Sequence, residues 1–419
     1  MSRWRLPLLQ KPILIVLGGT VFTQVLMFAI SPVMARFYSP ESFGLLAIFS
    51  TSLGVTSAVM GGRYEYAIIG ELANREADLL IIVVIGLVGL TTGVLASMMF
   101  LPDGLLPTEY RKVLPELVLA SGANVIGIAC NNWFVRQGMF VVATGLKIFR
   151  ALATLGLSIL LITYAEGLMW GAAGGYLLLA VVALHACWQR GWSFCGVSIR
   201  DMTKIVRTHI NFPIHSAFPA LLDNLSLLIP VLWGAALFSV EDVGQWGLSR
   251  MVLAAPLGMV AVAMSQVLMK QLHDHVTKKN SINALLKRGV VRFAIPLLIL
   301  CLAMSVWGEP VFEFVFGEQW ASAGSLTAWL IWSYAISGIC SMLSVVFVIL
   351  RKLLLNGLWQ SAHCFMVFLI FLNADVTKFE EFVHYYVMLE VISYFVYALM
   401  IYRIVLQYDR EAESCRGVA

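Results

Sequence analysis

Two arginines in this chain lie where the surrounding sequence gives them little water. Arg63 sits in MGGRYEYAII and Arg250 in GQWGLSRMVLAAP, six residues inside an apolar run that starts at Gly244. A guanidinium is planar, permanently charged, and carries a fork of N–H donors that matches phosphate or carboxylate oxygens two at a time. Ionisable side chains at membrane depth cost about 2.5–3.5 kcal/mol each on insertion scales, which makes each a functional candidate by default. Both arginines are therefore candidate ligands for an anionic group. A structural alternative stands beside each one. Arg63 could snorkel to the interface and pair with Glu65 or Glu76, and Arg250 could snorkel outward or pair with Asp223.

A third candidate is the run NFPIHSAFPALLDNLSLLIP, residues 211–230. On a helical wheel Asn211, His215, Pro219, Asp223, Ser226 and Pro230 fall within an arc of about 120°, at 100° per residue. Pro213, Pro219 and Pro230 interrupt the backbone ladder, which lipid tolerates only where the freed groups are re-satisfied or line a wet cavity. This predicts a bendable, cavity-lining helix, with Asp223 either a site residue or the structural partner of a cation. Asp223 and His215 could also couple transport to an ion, since histidine titrates near physiological pH. For Arg63, a helix continuing to Ile69 places it on one face with Ser52 and Thr56. Gly61 and Gly62 would then allow a ligand or a second helix to approach. Glu390 and the pair Asn131–Asn132 read more simply as interhelical hydrogen-bonding groups. HDHVTKKN at 273–280 offers His-x-His without further ligands and reads as a solvated basic loop. The sequence holds neither GxxxxGK[ST] nor HExxH, so no ATP-driven pump domain, cofactor or metal is expected.

The elements that must position these residues are membrane helices. Of 419 residues, 60% are hydrophobic and 12% charged, with a mean hydropathy of +0.86; soluble domains carry about twice that share of charge. The seven cysteines are scattered through apolar runs without CxxC and read as small buried hydrophobes. The apolar N-terminal run from Ile13 is longer than a signal-peptide core and reads as a retained first span. Twelve apolar runs approach the length a helix needs to cross, at 12–35, 42–62, 79–101, 113–135, 144–165, 169–189, 210–237, 244–269, 290–308, 322–350, 353–373 and 382–406.

With the N-terminus in the cytoplasm, 23 of the 28 basic residues fall on the cytoplasmic side and four in outer loops. That asymmetry predicts both termini inside. The string ARFYSPESFG at 35–44 returns as AALFSVEDVG at 235–244, between spans 1 and 2 and between spans 7 and 8. LLPTEY and FVFGEQW similarly precede spans 4 and 10. The pattern predicts two six-span lobes, residues 1–200 and 201–419, related by a pseudo-twofold axis along the membrane normal. The outer loops are short, the longest near 102–112 and 309–321, which argues against a glycan polymerase or ligase.

The strings RFYSPESFGLLAIF, GGRYEYAII, FSVEDVGQWGLSRMVLAAPLGMV and FGEQWASAG together resemble the polysaccharide transporter (Wzx-type flippase) family of the MOP superfamily, over the whole chain. That superfamily also holds the MATE drug exporters and the lipid II flippase. The resemblance implies a MOP/MATE-like fold in a bacterial inner membrane. It implies export of undecaprenyl-pyrophosphate-linked oligosaccharide units, for surface polysaccharides such as O-antigen or exopolysaccharide, by alternating access. It also implies a cavity lined by spans 1, 2, 7 and 8, where Arg63 and Arg250 would meet the anionic substrate, with Asp223 on span 7. Glu65, His215 and Asn211 complete the candidate set. Implied partners are the lipid-linked oligosaccharide and membrane lipid, with polymerase machinery left open; no nucleic acid is implied, and a monomer suffices. A cation-coupled drug exporter is the competing reading, a membrane enzyme of glycan assembly the next, and a structural scaffold the last.

Overall fold

The computed structural model describes residues 10–70, 74–102, 105, 107–193, 198–278, 280–373 and 376–417; side chains at 10–14, 17, 215, 370–373 and 413–417 lie outside that description. Every regular element among the described residues is helical. Among the described residues eleven helices are long and apolar enough to cross a membrane, and a further apolar helix at Leu353–Leu369 is shorter. In chain order these twelve helices are α1 (Gln10–Phe37), α2 (Pro40–Met60), α3 (Asn74–Ser97), α4 (Thr108–Arg136), α5 (Phe140–Leu160), α6 (Gly167–Gln189), α7 (Phe218–Leu237), α8 (Val240–Thr277), α9 (Asn283–Phe316), α10 (Ala321–Leu343), α11 (Leu353–Asn373) and α12 (Phe379–Gly417). The chain is an all-α, multi-pass membrane protein. Helices are the expected solution, because in hydrocarbon each backbone N–H and C=O must be satisfied within its own segment.

The repeated string is a repeated helix start. Ser39 caps α2, its Oγ accepting from the Ser42 amide at 3.3 Å, and Ser239 caps α8, its Oγ accepting from the Asp242 amide at 3.0 Å. Glu41 follows the first cap, and Glu241 and Asp242 the second, placing carboxylates on the positive end of each helix. The aromatic residue before each cap anchors its turn differently. Tyr38 donates its hydroxyl to the Ser158 carbonyl at 2.6 Å, whereas the Phe238 ring meets Phe379 edge-on at 5.5 Å.

Two compact units are present, Met1–Ala236 and Leu237–Ala419. In the first, α4 is the hub on which α2, α3 and α6 pack; in the second, α10 is the hub for α8, α9 and α12. The same packing scheme thus recurs six helices later. Nearly all of α7, which the sequence counts as the opening span of the second repeat, belongs to the first compact unit. Its Asn224 side chain lies against Gly54 of α2, where any Cβ would collide with it.

Several boundaries differ from the sequence reading. Span 2 neither reaches Gly62 as a helix nor continues to Ile69: α2 ends at Met60, and Gly62 and Arg63 both turn left-handed. Span 7 is not one regular helix, because Pro213–Ala217 forms a π-helical turn before α7 begins at Phe218. A π turn holds more residues than an α turn, so Asn211 and His215 lose the 100° register that placed them in the arc with Asp223. The helices α8, α9 and α12 run past their apolar stretches, and the His273–His275 string is the end of α8 rather than a loop. The outer loop expected at 309–321 is largely helical for the same reason, being the end of α9. Asp409 of α12 caps the start of α9, accepting from Ser281 Oγ at 2.6 Å, the Ile282 amide at 2.9 Å and the Asn283 amide at 3.2 Å. Cys130, Cys187, Cys301, Cys340 and Cys364 are free and buried, as small hydrophobes; Cys195 and Cys415 lie outside the described residues and side chains.

Candidate functional site

The first unit builds its candidate site at the end of α2. Gly62 has φ +54° and Arg63 φ +62°, ψ +10°. Glycine takes this conformation freely, but for arginine it costs about 1–2 kcal/mol. The chain then resumes as a short helix, Tyr64–Ala67, and a tight turn, Ile68–Gly70. Arg63 therefore stands at a break and not on a helical face with Ser52 and Thr56.

Side chains from α4 hold this region in place. Thr56 Oγ1 and Ser121 Oγ pair at 2.7 Å, Asn124 Nδ2 donates to Ser57 Oγ at 3.0 Å, and Asn132 Nδ2 donates to the Glu65 carbonyl at 2.8 Å. On the far side, the Tyr64 hydroxyl donates to the Val206 carbonyl at 3.2 Å. Val206 lies in the amphipathic helix Ile199–Thr208, whose Asp201 pairs with Arg75 at 3.0 Å.

Within this frame three buried polar atoms have no hydrogen-bond partner among the described residues: Arg63 Nε, Glu65 Oε2 and Asn131 Oδ1. Glu65 is 1% exposed. Its carboxylate lies against Gly61, where an added Cβ would overlap Glu65 Oε2 and come within 2.7 Å of Val125 Cγ1. Burial pushes the Glu65 carboxyl up to about 7, against the smaller opposing effects of a hydrogen bond from its own backbone and the Arg63 charge. The Arg63 guanidinium is half-buried and sits 5.0 Å from the centre of the Tyr66 ring. The turn thus presents a cation with a spare donor beside an acid that can be neutral or charged at physiological pH.

Of the α7 candidates, Asp223 is exposed, and Ser226 is buried with its hydroxyl donating to the Asp223 carbonyl at 2.7 Å. Asn211 is exposed ahead of the π turn. His215 falls inside that turn, and its side chain lies outside the description.

In the second unit, Arg250 of α8 stacks over the buried Trp246 ring at 5.3 Å. Tyr334 of α10 and Tyr386 and Glu390 of α12 supply the polar groups around its guanidinium. Glu390 Oε1 in turn lies 3.0 Å from His363 Nε2 of α11. The sequence reading missed His363 altogether. Its one signal was a lone histidine in the apolar string QSAHCFMVF, which single-sequence reading treats as an ordinary core residue. Among the described residues no group of His, Cys, Asp and Glu is arranged to hold a metal.

No protein-family model and no curated protein matches the chain. Its fold is nonetheless similar to those of solved membrane transporters. The lipid II flippase MurJ, in an inward closed conformation, aligns with TM-score 0.72 at 12% identity, over 96% of this chain and 91% of that one. An inward-facing multidrug resistance MATE transporter of the MOP superfamily aligns at 0.61 and 12% identity, over 91% and 95%. The MATE multidrug transporter DinF-BH aligns at 0.61 and 15% identity, over 95% and 96%. At these identities the likeness is one of fold.

Proposed function

We propose that the chain is a flippase for undecaprenyl-pyrophosphate-linked oligosaccharides, moving them from the cytoplasmic to the outer leaflet of a bacterial inner membrane for surface polysaccharide synthesis. The observation that carries this reading is Arg63, a half-buried cation held at a left-handed break with a buried N–H unpartnered among the described residues. An arginine so placed is poised to bind an oxygen-rich anion, and the pyrophosphate of a lipid carrier supplies one. Arg250 is the corresponding cation of the second unit, and Asp223, Asn211, His215 and Glu65 are further contacts for the polar head. The two halves, 1–200 and 201–419, act as repeats, both termini face the cytoplasm, and a monomer suffices. The protein has no catalytic role in this reading.

The physical task is to carry a glycan through hydrocarbon, where each unsatisfied polar group costs several kcal/mol. Alternating access meets it by keeping the head in water while the prenyl tail stays in lipid. Inward-facing and outward-facing MATE structures both share this fold, which supports that mode of action. Moving an anion outward against a negative interior is downhill by about 2.3 kcal/mol per charge per 100 mV, so no nucleotide is required.

Drug export is the second reading, favoured by the MATE likeness and by buried carboxylates at Glu65, Glu116 and Glu390. Reconstituted protein separates the two. Flipping of a fluorescent prenyl-pyrophosphate saccharide that Arg63→Ala abolishes supports the flippase. Transport of a cationic dye that Glu65→Gln or Glu390→Gln abolishes, with no flipping, supports the exporter.

A further inference from the structure

We propose that Glu65 is a proton-binding site linked to anion capture at Arg63: one proton enters from the cytoplasmic water when a phosphate head occupies the turn, and leaves with it. The inference rests on the phosphate-binding role of Arg63 and adds the proton as a second ligand of that site.

Geometry carries it. The carboxyl is 1% exposed, its Oε2 has no hydrogen-bond partner among the described residues, and bare Gly61 gives it room that any side chain would fill. A buried carboxylate with an unsatisfied oxygen is costly, and protonation is the least expensive relief. Among the described residues, Arg63 is the one cation acting on it. Glu116 of α4 is buried with its Oε2 unpartnered among the described residues, but lies toward the other end of that helix from Asn132; the charged groups nearer the turn have partners or face water. Arg75 of α3 pairs with Asp201 at 3.0 Å, and Asp78 accepts from Trp133 Nε1 at 2.8 Å. Arg136 of α4 donates to Asn74 Oδ1 at 2.7 Å, and Glu76 is exposed. Cys130 of α4 is buried, while Lys204 and Arg207 of the Ile199–Thr208 helix are exposed. An anion bound to Arg63 removes the single positive field that stabilises the charged form of Glu65. The carboxylate then takes a proton from solvent to become the neutral acid, and the resulting O–H can donate to the incoming phosphate. The carboxyl's position near 7 places this exchange in the physiological range.

The test uses the full chain in nanodiscs, with geranylgeranyl pyrophosphate as probe. Wild-type affinity, divided by that of Glu65→Gln at each pH, is expected to fall about tenfold per unit above pH 7, the slope of one linked proton. The probe's own titration is common to both proteins and cancels in the ratio. A flat ratio overturns the proposal. If the probe binds neither protein, the phosphate-binding reading of Arg63 fails, and an infrared titration still decides the proton site. A carboxylic C=O band present in wild type, absent from Glu65→Gln and titrating near 7 supports it; titration in the ordinary carboxylate range overturns it.

Discussion

His363 Nε2 lies 3.0 Å from Glu390 Oε1, joining α11 to α12, with both residues 7% exposed. Trp359 stacks on the imidazole at 5.2 Å, and Arg250 interacts electrostatically with Glu390. Removing one partner of this buried hydrogen bond leaves the other's polar group unsatisfied, at a cost of about 1–3 kcal/mol. Glu390→Ala is therefore expected to lower the midpoint of thermal unfolding in detergent sharply. The double variant Glu390→Ala/His363→Ala should lose much less than the sum of the two single variants. Strict additivity would show that the pair contributes nothing.

Ser39→Ala and Ser239→Ala are expected to destabilise the protein by about 1 kcal/mol each, the usual worth of an N-cap. Threonine at either position should retain most of the cap. Parallel denaturation curves for the serine and alanine proteins would remove the caps from the account of the repeat.

Arg63→Gly should separate stability from function. Glycine takes the left-handed conformation without the arginine's cost of about 1–2 kcal/mol, so the variant should unfold no more easily than wild type. Without the guanidinium it should not flip substrate. Arg63→Lys keeps a charge but loses the planar fork, and intermediate transport is expected.

Glu65 predicts a pH dependence of stability. Its carboxyl stands at about 7 in the folded chain, against 4.5 as its ordinary value. The folded state thus holds the proton more tightly than the unfolded one, so stability is greatest below 4.5 and declines as pH rises towards 7. The loss approaches about 3 kcal/mol above pH 7, at 1.36 kcal/mol per unit. Glu65→Gln should remove that part of the decline and be the more stable protein above pH 7. Equal pH profiles for the two proteins would contradict the buried placement of Glu65.

The spans and the repeated helix start were legible in the sequence, because hydropathy and a serine followed by carboxylates act locally. Arg63 and Arg250 stood out as cations in apolar surroundings. What was not legible depended on three dimensions. The sequence reading took Gly61 and Gly62 as room for a ligand or a second helix, whereas the helix stops there, with Asn132 and Tyr64 tying the following turn elsewhere. The π turn at Pro213–Ala217 opens on Pro213 and is followed by Pro219, and a fixed 100° wheel cannot anticipate it. The extension of α8, α9 and α12 beyond hydrocarbon depended on partners such as Asp409, remote in sequence from the α9 start it caps. His363 gained meaning only when α11 met α12.

The measurement that bears most directly on the central claim is the fate of prenyl-pyrophosphate-linked saccharides in native cells depleted of this protein and complemented with wild type or Arg63→Ala. The flippase account predicts that a defined lipid-linked unit accumulates on the cytoplasmic face, is cleared by wild type, and persists with Arg63→Ala at equal protein abundance. Normal display of that unit on the outer face in cells carrying only Arg63→Ala would contradict it.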